Sequence, residues 1–218
     1  MMDISMLQEE IGVTADGRWG SKSRQALLRA FTSARVGAIK AAEESAFARR
    51  LGVSLGQLRA VARVESAGGG FDRRGRPTML YERHKFHRHT GGKWSVCSFS
   101  NGVVGGYKES SWDKLLGALG TGEVDAAFMS CSWGKFQVLG EWWDELGYAS
   151  PYALARSALD GEAAHYELLC RYLEFSGLAR AMAKISADPE SCRAFAKGYN
   201  GPGYRDYAYH QKLAAAMA

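Results

Sequence analysis

The chain has 218 residues, 46% of them hydrophobic and 23% charged, with 28 Lys and Arg against 23 Asp and Glu and a formal net charge of +5. That length supports one main domain with a small attachment, and the composition excludes disorder and fibrous repeats. The positive balance favours polyanions, yet the basic residues fall in short clusters (Arg49-Arg50, Arg73-Arg74, Arg83-His84-Lys85) without a basic arm or a nucleic-acid motif, so no nucleic-acid partner is expected.

The opening residues MMDISMLQEEIG have no basic stretch followed by an apolar run, and no segment approaches the roughly 18 apolar residues that span a bilayer. The expectation is a chain made in the cytoplasm, with no stable membrane insertion. Gly12 to Gly20 places turn residues around Trp19 and is followed by SKSRQALLRAF with helical spacing. This resembles half of a peptidoglycan-binding repeat. Residues 1–33 are read as a partial helical segment of that kind, either a remnant or a weak binding site, and residues 34–218 as the main domain.

Apolar residues recurring every three or four positions, with only four Pro, predict a mainly α fold. Helices are expected near 22–31, 35–50, 55–67, 110–118, 122–129, 134–146, 151–158, 161–175, 188–198 and 204–217. Ser150-Pro151 reads as an N-cap followed by Pro at the first helical position. Gly68 to Gly106 is rich in Gly, Arg, His and aromatics and predicts an irregular lobe with a small hairpin or sheet around Thr78-Met79-Leu80-Tyr81. The four cysteines, Cys97, Cys131, Cys170 and Cys192, have no metal-ligand spacing and are read as reduced thiols.

One carboxylate stands out in VARVESAGGGF, residues 61–71. Ser54-Leu55-Gly56-Gln57 fits a capping box, so a helix starts at about Leu55. Leu58, Val61 and Glu65 then share its apolar face, which leads the acid toward the interior. Burial and the negative end of the helix dipole both favour the protonated form. A carboxylic acid that keeps its proton near neutral pH is what glycoside cleavage needs to protonate the leaving oxygen. Gly68, Gly69 and Gly70 would end the helix and leave room for a polymer. The alternative is a helix-end acid paired with an Arg.

Three segments recur together in lysozyme-like glycan hydrolases related to goose-type lysozymes and soluble lytic transglycosylases: a Glu-Ser pair, a Gly-x-x-Gln turn and a Tyr-Asn. Here they are Glu65-Ser66, Gly134-Lys135-Phe136-Gln137 and Tyr199-Asn200. With VESAGGGF, Leu80-Tyr81-Glu82-Arg83-His84-Lys85-Phe86, SWGKFQ and YNGPGY in order, the chain resembles the phage endolysin N-acetylmuramidases from about residue 45 onward. Lys135 stands where that pattern usually has an apolar residue, and Tyr81 replaces the usual Phe. The resemblance implies a lysozyme-like helical domain with a small irregular or β lobe. It also implies cleavage of the β-1,4 bond between N-acetylmuramic acid and N-acetylglucosamine in bacterial peptidoglycan, with release to the wall by another factor.

Under this reading Glu65 is the general acid. Glu82 is a second catalytic carboxylate that positions water or stabilises charge on the sugar, or else a structural acid beside Arg83 or His84. The substrate-binding candidates are Ser66, Trp133, Gln137, Tyr199 and Asn200. Ser66 supports the helix end; Gln137 binds an N-acetyl group or holds Glu65; Trp133 offers a flat surface to a sugar ring. By resemblance, Tyr199 lies beside the acid and the acetamido group. No metal or cofactor is expected, because His84, His87 and His89 alternate with cations and no Cys or Asp completes a ligand set. A monomer is expected. The rivals are a transglycosylase that leaves anhydro ends and an inactive wall-binding module.

Overall fold

The computed structural model of the protein describes residues 1–33, 37–65, 69–94 and 110–218. It is mainly helical. In chain order come α1 (Ile4–Glu10), α2 (Ser21–Ala30), α3 (Ala41–Leu51) and α4 (Leu55–Glu65). β1 (Met79–Tyr81), α5 (Arg83–His89), α6 (Ser111–Leu119) and α7 (Val124–Met129) follow, then β2 (Cys131–Trp133), β3 (Val138–Leu139) and a 3₁₀ turn at Gly140–Trp142. The C-terminal half holds α8 (Pro151–Ser157), α9 (Glu162–Phe175), α10 (Ala179–Met182), α11 (Pro189–Asn200), a 3₁₀ turn at Pro202–Arg205 and α12 (Tyr209–Met217).

The local signals act as expected at two helix starts. The Gln57 amide N–H donates to Ser54 Oγ at 3.1 Å while Gln57 Oε1 accepts from the Ser54 amide at 2.9 Å, so the capping box opens α4 at Leu55. Ser150 Oγ accepts from the Ala153 amide at 3.0 Å, and Pro151 takes the first turn of α8.

Two expected helices differ. Residues 134–146 form no continuous helix; they close the β2–β3 hairpin, because Gly134 and Gln137 take positive φ of 72° and 50°. Residues 204–217 are broken at Ala208, whose φ of 51° stops one turn and starts α12 at Tyr209. The sheet runs β1-β2-β3, all antiparallel, with Met79 opposite Trp133 and Ser132 opposite Leu139. The 78–81 run thus becomes a strand, and α5, which spacing did not reveal, follows it at once. Helix α5 is fixed by Lys85 and His89, 2.6 and 2.9 Å from the carboxylate of Glu141, with Arg88 on the same group. Burial opposes its ionisation, but hydrogen bonds from His89 and Lys85 hold that carboxyl at about 2.

The N-terminal helices share the main core. Phe31 is fully buried, with its ring 5.4 Å from Trp112, 6.1 Å from Phe128 and 5.5 Å from Trp133. Trp19 Nε1–H donates to the Leu116 carbonyl at 2.8 Å, and the Gly12–Gly20 loop is organised by buried Gln8, whose amide reaches Asp16, Arg18 and Ser23. Helices α3 and α9 pack together, as do α4, α11 and α12, and the latter group builds the site.

Candidate active site

Helix α4 buries Leu58 and Val61 completely and carries Glu65 to its last turn on the same side. The acid's partner is not an arginine. Tyr209, placed by the backbone break at Ala208 at the first position of α12, donates its hydroxyl to Glu65 Oε1. Burial raises the Glu65 carboxyl above its ordinary value, and the Tyr209 hydrogen bond only partly offsets that rise. With Oε1 occupied as an acceptor, the acid proton is left to Oε2.

Tyr199 lies parallel to Tyr209, with ring centroids 6.4 Å apart and planes 11° from parallel, and stacks on Phe195 at 5.3 Å. Its hydroxyl donates to the Phe136 carbonyl at 2.9 Å. Burial first, then the nearby Glu65, pushes its phenol well up, so it remains a hydrogen-bond donor. The bond joins α11 to the hairpin turn one residue before Gln137. There the Gln137 side chain is engaged locally: Nε2 donates to the Gly134 carbonyl at 2.8 Å, and Oε1 accepts from Ser132 Oγ at 2.8 Å. Gln137 therefore braces the turn in its left-handed backbone, a strained conformation of the kind found at functional sites.

Beneath this turn lies His165 of α9, only 1% exposed. Its Nδ1 accepts from the Lys135 amide at 3.3 Å, and its Nε2–H faces the Ala158 carbonyl at 2.7 Å, which fixes one tautomer. Burial holds the imidazole below its ordinary value, in the neutral form. A Cβ on Gly134 or Gly70 would overlap this ring, and Phe71 stacks on it at 4.8 Å. Gly70 is therefore small because of His165 and not to admit a polymer; Gly69, with φ of 80°, has open space around it. Lys135, the departure from the apolar pattern, pairs with Glu162 at 3.0 Å.

The remaining candidates have other surroundings. Glu82 stands at the far end of β1 from Thr78, heading α5, with His84 Nε2 at 3.5 Å and its amide bonded to the Ser130 carbonyl at 2.9 Å. Thr78, at the near end, contacts both Gly70 and the Gln137 amide, so β1 links the site to Glu82. Trp133 is a correction. At 1% exposure, packed among Phe31, Trp112 and Phe128, it is a core residue with no face for a sugar. Asn200 is exposed at the end of α11. Ser66, like Gly68 and Cys97, lies outside the described residues. Cys131, Cys170 and Cys192 are buried free thiols. Tyr209 was missed because three tyrosines, 204, 207 and 209, cluster there and only the break at Ala208 selects one.

The N-acetylmuramidase family matches residues 54–218, which include every residue of this cluster. The fold is similar to that of the Burkholderia AP3 phage endolysin, with 27% identity, a TM-score of 0.73, and coverage of 98% of this chain and 92% of that one. A comparison with curated proteins found no match. With the family match spanning most of the sequence and the buried acid inside it, the chain belongs to the N-acetylmuramidase family of glycoside hydrolases.

Proposed function

We propose that the protein is a phage endolysin in which Glu65 is the general acid that cleaves the β-1,4 bond between N-acetylmuramic acid and N-acetylglucosamine. The observation that carries this reading is the buried Glu65, whose carboxyl is raised by burial and held by Tyr209. Oε2 would deliver the proton to the leaving oxygen while Tyr209 keeps the carboxyl from rotating, a contribution of about 10²–10⁴-fold for a positioned acid. Tyr199 ties α11 to the hairpin turn that Gln137 braces. Asn200 and Ser66 flank the cluster in sequence and are assigned to substrate contacts.

Glu82 is proposed as the second carboxylate. Its side chain is 20% exposed, and Glu82 directly follows β1, whose other end meets the site at Thr78, which supports a role toward water or the charged sugar. In E82Q, kcat is expected to fall with the melting temperature unchanged; an unchanged kcat would reduce Glu82 to a structural acid beside His84. No helix among the described residues is long and apolar enough to cross a membrane, which fits a protein made in the host cytoplasm that reaches the wall through another factor. Mass analysis of soluble fragments tests the chemistry: reducing muramic ends are expected, and anhydro ends would replace hydrolysis with transglycosylation.

A further inference from the structure

The aromatic side chains do not stop at the acid. From Tyr199 the rings continue to Tyr172 at 5.8 Å, from Tyr172 to Trp142 at 6.4 Å, and from Trp142 to Phe175 at 5.6 Å. Exposure rises along the same path: Tyr209 is 5% exposed, Tyr199, Tyr172 and Trp142 are partly buried, and Phe175 is 46% exposed. Tyr172 and Phe175 share one face of α9 at i,i+3 spacing, and Trp142 joins them from the 3₁₀ turn after β3. Flat apolar surfaces with a polar edge suit hexosamines, whose axial C–H groups pack on rings while their hydroxyls and acetamido groups stay solvated.

We infer that Trp142 and Phe175 form an outer glycan subsite, which takes an N-acetylhexosamine several residues from the scissile bond and so selects long strands. The inference rests on the proposed glycan cleavage by Glu65. The occupant follows from continuity: the path begins at the acid, and a polymer bound there must leave along some surface. This role passes to Trp142 from Trp133, whose burial removes it from contact with solvent.

The test compares cleavage of peptide-free glycan strands of four and eight sugars by the wild type, Phe175→Ser, Trp142→Phe and Met6→Ser. Met6 is a matched control, equally exposed at 46% but far along the chain in α1. For Phe175→Ser, the ratio of kcat/KM for the long over the short strand is expected to fall about tenfold through KM, the worth of one good aromatic contact. Trp142→Phe, which keeps an aromatic ring, should fall less, and Met6→Ser should keep the wild-type ratio. An unchanged ratio in Phe175→Ser, or equal loss on both strands, would overturn the subsite while leaving the acid's role intact. Failure of the wild type to cleave either strand would overturn both.

Discussion

Tyr209 donates its hydroxyl to Oε1 of the buried Glu65, and two predictions follow from that pair. Because burial raises the folded-state value above the ordinary 4.5, the folded protein holds a proton that the unfolded chain has released. Stability from this group is therefore lost as pH rises from about 4.5 through the raised value. E65Q, which cannot ionise, should gain stability over the wild type across that window, read as a growing difference in melting temperature; a difference independent of pH would contradict the shift. Tyr209→Phe removes the bond that lowers the acid's value. The alkaline limb of the kcat profile, where Glu65 loses its proton, should then move to higher pH while the maximum falls. A limb that stays or moves down would contradict the assignment. The place of Glu65 on the buried side of α4 was legible in the sequence, since the capping box and the apolar spacing both converge on it. Tyr209 was not, because its place depends on one left-handed residue, Ala208, at which no Gly marks the turn.

Among the elements, the β2–β3 hairpin shows where periodicity misleads. The segment from 134 to 146 has helical spacing of apolar residues (Phe136, Leu139, Trp143, Leu146), yet two positive-φ residues and the buried His165 ring turn it into a hairpin turn, β3 and a 3₁₀ turn. Its Gly-x-x-Gln motif reads as a turn and forms one, against the helical reading of the longer segment, with the glycine set by a ring from a helix thirty residues away. Gly134→Ala should therefore cost about 2–4 kcal/mol, from a left-handed backbone on a non-glycine residue and overlap with a packed ring. Urea denaturation reads this as a lower midpoint; an unchanged midpoint would show that the ring can move aside.

For the whole molecule, the sequence division at residue 33 meets a continuous core. Leu7, Leu27 and Phe31 are fully buried, and Phe31 stacks directly on aromatic residues of α6, α7 and β2. Each such side chain contributes roughly 1.5–3 kcal/mol, against a total stability of about 5–15 kcal/mol for an ordinary domain. Residues 34–218 alone should fail to melt cooperatively, as followed by circular dichroism. A truncated chain with wild-type melting and activity would make the first helices an independent attachment. The turn residues around Trp19 were readable as a motif, but the indole's bond to Leu116 joins segments 97 positions apart, which no local pattern encodes.

The most direct test of the whole account is digestion of purified peptidoglycan by the wild type and by E65Q, with soluble fragments weighed by mass spectrometry. The account predicts reducing muramic ends from the wild type and a loss of about 10²–10⁴-fold in their release by a folded E65Q. Release at the wild-type rate by E65Q would contradict it.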